Sequence, residues 1–88
     1  MATLRNIQFT KLIKTGRRLR EFNFRKSQGK GGPIFTVDVA DQKDERQYLF
    51  FRQEEKRWVL EKRNLIAWIE DALPEIEKAI EVYAWFRN

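Results

Sequence analysis

Asp38 and Asp41 are the one pair of carboxylates in this chain that could mimic a general acid/base couple. That chemistry needs two carboxyl groups converging in a cleft. Three residues apart across a strand end, they read instead as one solvated strand residue and one turn-forming residue. Ser27 is the only serine, and with no histidine to activate it, it is a poor nucleophile. The run Gly29-Lys30-Gly31-Gly32 has the composition of a phosphate cradle. A P-loop, however, needs Gly-x-x-x-x-Gly-Lys followed by Ser or Thr at the head of a helix, and here Pro33 and a strand pattern follow. The chain has no cysteine and no histidine. Disulfides, thiolate metal sites, cysteine nucleophiles and the commonest metal ligand are therefore absent. The expectation is no catalytic residue, no metal, no cofactor and no enzymatic activity.

The chemistry that remains is polyanion recognition. Residues 1–31 hold nine Lys/Arg against one acid, Glu21, a net charge of +8. Residues 32–88 hold nine Lys/Arg against twelve acids, a net −3. The whole is +5, a basic front and a mildly acidic back. Seven of the basic residues fall within 14–30, with Phe22 and Phe24 among them. Rings stack on bases while Arg and Lys neutralise phosphates, which is how sheet surfaces hold single strands. The candidate nucleic-acid-binding residues are Lys14, Arg17, Arg18, Arg20, Asn23, Arg25, Lys26, Lys30 and Arg57. Parity qualifies this set. Phe22 and Phe24 share one strand face and read as core, which exposes Asn23 and Arg25, with Lys26 beyond. Arg18 and Arg20 share the parity of Phe22, so a bulge turns them outward or they lie past the core edge. Thr36 and Asp38 join the exposed face if the registers align, and Arg57, out of phase with Trp58, is a further member. Stacking rings on that face could come only from Tyr48–Phe51.

Elements able to position these residues follow from hydrophobic period. At 88 residues, 42% hydrophobic and 35% charged, the chain suits one small domain, 1–88. Alternation predicts strands at 6–14, 18–26, 34–40, 46–52 and 57–61. Thr15-Gly16, Asp41–Glu45 and Gln53–Lys56 read as turns, and Ser27–Pro33, with three of the four glycines, as a loop. Tyr48, Leu49, Phe50 and Phe51 are apolar on both faces, the mark of a central strand. Beyond Asn64, a possible cap, the period becomes helical. Ile66, Ile69, Leu73, Ile76, Ile80 and Tyr83 form one apolar stripe. Pro74 inside it either kinks the helix or opens a second one. The expected fold is α+β: an antiparallel sheet of four to five strands with one C-terminal helix on one face.

Two stretches resemble the Pur-alpha / positive-cofactor-four / Whirly group of single-stranded DNA-binding domains. The first is Arg20-Glu21-Phe22-Asn23-Phe24-Arg25-Lys26, followed by glycine and Phe35-Thr36-Val37-Asp38-Val39. The second is Asn64 to Val82, with Trp68, Ile69, Ile76, Ala79 and Ile80. That group's repeats usually have four strands, whereas this pattern yields five. The resemblance implies a sheet-surface grip on a single strand and a dimer through sheets or helices. It maps Lys14, Asn23, Arg25 and Lys26 to strand-face and hairpin positions.

The leading expectation is thus a single-stranded DNA- or RNA-binding module. The alternative is a protein-interaction or assembly module without catalytic activity. A possible homodimer interface falls at Trp68, Trp85 and Phe86, off the main helix stripe, although a wider buried helix face would also account for these rings. Residues 1–15 lack an apolar signal region, and no stretch approaches the roughly 20 apolar residues of a membrane span. An intracellular, cytoplasmic protein without membrane partners is expected.

Overall fold

The computed structural model describes residues 7–41, 43–61 and 65–86, with side chains described for 8–41, 43–61 and 65–83. Five strands, β1 (Ile7–Thr15), β2 (Arg18–Gly29), β3 (Gly32–Ala40), β4 (Arg46–Glu54) and β5 (Arg57–Leu60), precede one helix, α1 (Ala67–Phe86). The strands form a single antiparallel meander in the order β1-β2-β3-β4-β5. This is the α+β fold that the change of period predicts, with all five strands present.

Alternation builds the core. Phe9, Phe24, Val37 and Leu49 lie side by side in register across β1 to β4. One step along, Phe35, Phe51 and Leu60 do the same. These positions share the sheet face toward α1. Against it the helix buries Ile69, Ala72, Ile76, Ala79 and Ile80. Two alanines in that stripe let the helix axis approach the sheet. The α1 backbone runs close to both edge strands, β1 and β5, so the sheet wraps toward the helix at its margins.

Three details depart from the sequence pattern. Ile66 begins the expected stripe but is exposed, and Leu73 is only half-buried. Ile66 stands one residue before α1. Its carbonyl accepts the first helical bonds, from Ile69 and Glu70 N–H, so its side chain belongs to the entry segment. The helix runs through Pro74 as one element. Pro74 has no N–H for the Glu70 carbonyl, but the packed face on either side carries the helix across. Asn64 lies outside the described residues.

The third departure is the glycine-rich stretch 27–33, which is not a loop. The ladder continues through Ser27↔Ile34 and Gln28↔Pro33 to Gly29↔Gly32, leaving a two-residue turn at Lys30-Gly31. A Cβ at Gly29 would run into the tip of the Ile34 side chain, so the glycine leaves room for it in the ladder. The Gly16-Arg17 turn joins β1 to β2. Gly16 has φ +65°, the requirement for the first position of a type II′ hairpin turn.

The β4–β5 hairpin is less well supplied. Glu55 and Lys56 occupy its two turn positions at φ +49° and +72°. Left-handed backbone costs an L-residue roughly 1–2 kcal/mol, and Asn-Gly is the sequence suited to such a turn. Glu55→Asn with Lys56→Gly is therefore expected to raise stability by about 1 kcal/mol. Urea unfolding checks this, and an unchanged midpoint would mean the turn is not left-handed at both positions.

Candidate nucleic-acid interface

With one helix for two sheet faces, no element among the described residues covers the second face. Two rows cross it in register: Gln8, Arg25, Thr36 and Phe50, and then Thr10, Asn23, Asp38 and Tyr48. The registers that would bring Thr36 and Asp38 beside Arg25 and Asn23 do align. Arg46 and Arg52 flank the two rings at alternate positions of β4, so Arg46, Tyr48, Phe50 and Arg52 share the face.

Tyr48 and Phe50 are 54% and 41% exposed. Their ring centroids are 6.5 Å apart and their planes 13° from parallel. They form a flat, solvent-facing aromatic step. β4 is accordingly not buried on both sides. Leu49 and Phe51 enter the core while Tyr48 and Phe50 meet water, since among the described residues no element covers them.

A polar relay holds the middle of the face. The Thr10 hydroxyl donates to Asn23 Oδ1 at 2.8 Å, and Asn23 Nδ2 donates to Asp38 Oδ2 at 3.4 Å. Arg46 Nη1 pairs with the same carboxylate at 3.1 Å. Arg52 is held by Glu54 at 2.7 Å and approaches Glu61 at 3.7 Å. Arg25 carries no ion pair among the described residues and is exposed. Thr36 stands between it and Phe50.

The other sequence candidates are spread around the molecule. Lys14 is exposed on the same face at the β1 edge, opposite Leu19. Arg57 shares the face at the far edge, opposite Glu54. Arg17 and Lys30 sit on the two hairpin turns that flank β2. The face expected for Lys26 is corrected: it has the parity of Phe24 and pairs with Phe35 on the helix side. Arg18 and Arg20 also have helix-side parity, and the β1–β2 ladder runs without a bulge past both. Arg18 is exposed beside the turn. Arg20 is tied into the fold. Its Nε donates to Thr15 Oγ1 at 2.9 Å and its Nη1 to the Ala40 carbonyl at 3.3 Å. Its guanidinium lies 4.0 Å from the Trp68 ring centroid. It thus covers Trp68 in a cation–π contact and has little freedom to reach a phosphate. Trp68 is half-buried against the core beneath it. The Trp85 and Phe86 side chains lie outside the described residues.

Sequence reasoning left out Arg46 and Arg52. The period-two spacing 46, 48, 50, 52 was the available signal, obscured because Leu49 and Phe51 make the whole segment look apolar.

The two aspartates do not converge. Asp38 belongs to the open face, and Asp41 organises the β3–β4 turn. Asp41 Oδ1 accepts the N–H groups of Glu45 at 2.9 Å and Lys43 at 2.8 Å, and Oδ2 accepts the Gln47 amide at 3.0 Å. The Glu45 N–H foremost, with Lys43 and Gln47, holds this carboxyl below its ordinary value of 3.8. A lowered folded-state pKa contributes stability above the unfolded value, and the contribution disappears as pH falls through the folded one. Asp41→Asn should therefore melt below the wild type at pH 7, with the gap closing as the pH falls below the ordinary value. Thermal melts across that window test this, and a pH-independent gap would mean that hydrogen-bond geometry, not charge, matters. Among the described residues no group of three acids is placed to hold a metal, and no helix is long and apolar enough to cross a membrane.

Compared with protein-family models, with curated proteins and with solved structures, the chain matches none of them.

Proposed function

We propose that this protein binds single-stranded DNA or RNA on its open sheet face, without catalysis, in an intracellular setting. The observation that carries the reading is the exposed Tyr48–Phe50 step, set among arginines on a face that no element of the described residues covers. Such rings accept the π-face of any unpaired base, and Arg25 supplies the phosphate contact. Asn23, Thr10 and Thr36 offer hydrogen bonds to bases or sugars between them. Lys14, Arg17 and Lys30 extend the basic field along the β1–β2 side. The resemblance to the Pur-alpha / positive-cofactor-four / Whirly group belongs to this proposal, as a sheet-surface mode of binding.

The test is a titration of random single-stranded and duplex DNA at two salt concentrations. Single strands should bind more tightly, since duplex bases are not free to stack. Affinity should fall steeply with salt, with roughly 0.7 counterion released per phosphate contact. Arg25→Glu should weaken binding and flatten the salt slope more than Lys26→Glu, which changes the helix side. Absence of binding below about 100 µM at low salt would end the reading.

The second reading is a protein-interaction or assembly module, the homodimer included. Leu12 and Leu19, 58% and 66% exposed at one corner of the same face, favour it. An apolar interface would be insensitive to salt, and sedimentation showing only monomer at high micromolar concentration would remove the homodimer.

A further inference from the structure

β1 is an edge of the sheet, nine residues long, and among the described residues no strand pairs with its outer side. Open edges are templates for another strand, and lysines on them suppress indiscriminate pairing. Lys11 and Lys14 stand on this one. Beside the edge, between β1 and α1, runs a groove of about 340 Å³. Phe9, Ala79, Val82 and Tyr83 line it, and Lys11 and Lys78 stand at its sides. Phe9 and Tyr83 stack at 4.2 Å, which ties the strand to the helix and sets the depth of the groove. Val82 is 47% exposed, a large apolar side chain at the surface of the groove.

An open strand edge with an apolar groove on one side is the geometry of strand addition. Main-chain bonds provide affinity there, and alternate side chains enter the groove. We propose that β1 captures an extended acidic peptide segment as a sixth strand. Its apolar side chains enter the β1–α1 groove, and its carboxylates meet Lys11 and Lys78 there and Lys14 on the other face. Charge selects this occupant. A second copy pairing β1 with β1 would set its own Lys11 and Lys14 against these same lysines. Glu75 also lines the groove, but lysines outnumber it along the combined edge. The opposite edge does not compete. β5 has four residues, and the groove beside it is lined by Glu77 and Glu81 against one cation, Arg57, a net negative lining that disfavours the same peptide. The surface shares only Lys14 with the open sheet face, and its groove and strand edge lie apart from the Tyr48–Phe50 step, so the two proposals are tested separately.

The probe is a capped octapeptide with valine at its third and fifth positions and glutamate at the other six, so that both strand faces carry carboxylates, titrated into the full ¹⁵N-labelled chain. Expected are slowed amide exchange along residues 8–14 and shifts at Ala79–Tyr83. Lys11→Glu with Lys78→Glu should weaken binding about tenfold or more. The same octapeptide with lysine for glutamate should bind at least about tenfold more weakly, and one with a central proline should not form the ladder. Val82→Arg, an exposed change, should block the groove while leaving near-UV circular dichroism unchanged. No response at about 1 mM peptide, equal binding of the lysine peptide, or shifts confined to β5 or the open face would each overturn the proposal. Self-association lost on Val82→Arg would overturn it in favour of a second copy.

Discussion

Phe24→Ala is expected to cost about 3–5 kcal/mol of folding free energy. Phe24 is 1% exposed and lies parallel to Phe9, with centroids 4.5 Å apart and planes within 4°. Phe9 in turn stacks on Tyr83 of α1. The three rings run from the interior of the sheet through its edge strand to the helix, so removing Phe24 leaves a cavity and also loosens the edge. A domain of this size has roughly 4–13 kcal/mol of stability in all, so the variant will be marginal. Ile76→Ala, at a fully buried site on the facing helix, should cost about 2–5 kcal/mol. Urea unfolding measures both. A loss under half a kilocalorie at either would mean the ring stack and helix stripe are not the core.

Replacing Tyr48 and Phe50 by alanine should do the reverse, removing binding and sparing the fold. Base–aromatic stacking is worth about 1–3 kcal/mol per base, so each substitution should weaken single-strand affinity roughly five- to 150-fold. Both rings are exposed, and their burial contributes much less to stability than that of Phe24. The salt slope should persist, because the phosphate contact proposed for Arg25 is untouched. A double variant that still binds single strands like the wild type would leave the aromatic step without a role and move attention to the hairpin turns. A variant that unfolds would show that the face is covered by something the chain itself supplies.

Particular residues show what the sequence alone makes legible. Strand alternation placed Phe22, Phe24, Phe35, Val37 and Val39 inside, and all five are buried. The same alternation contained the side of Lys26, two residues after Phe24, but the density of charge around it pointed the other way. Arg20 could be assigned to the core side by parity. Its contact with Trp68 could not, because it joins residues 48 positions apart in sequence through packing of the helix on the sheet. The loop expected at 27–33 failed because glycine and proline mark what the backbone permits. Cross-strand hydrogen bonds then decided how far the ladder runs.

What the chain determines by itself is local. The periods of two and 3.6 place the strands and the helix, and for every strand but β4 they indicate which side is apolar, because side-chain direction follows backbone geometry within a few residues. Composition likewise excludes histidine and cysteine chemistry. What only the tertiary structure decides is which apolar surface is covered. Tyr48–Phe51 has four apolar side chains in a row, and nothing local distinguishes Leu49 from Phe50. One helix can cover one face, and the register of β4 against β3 puts Leu49 and Phe51 beneath it and leaves Tyr48 and Phe50 outside. The candidate interface exists because burial is a property of the assembled layers, and a five-stranded sheet with a single helix has one face more than it can cover.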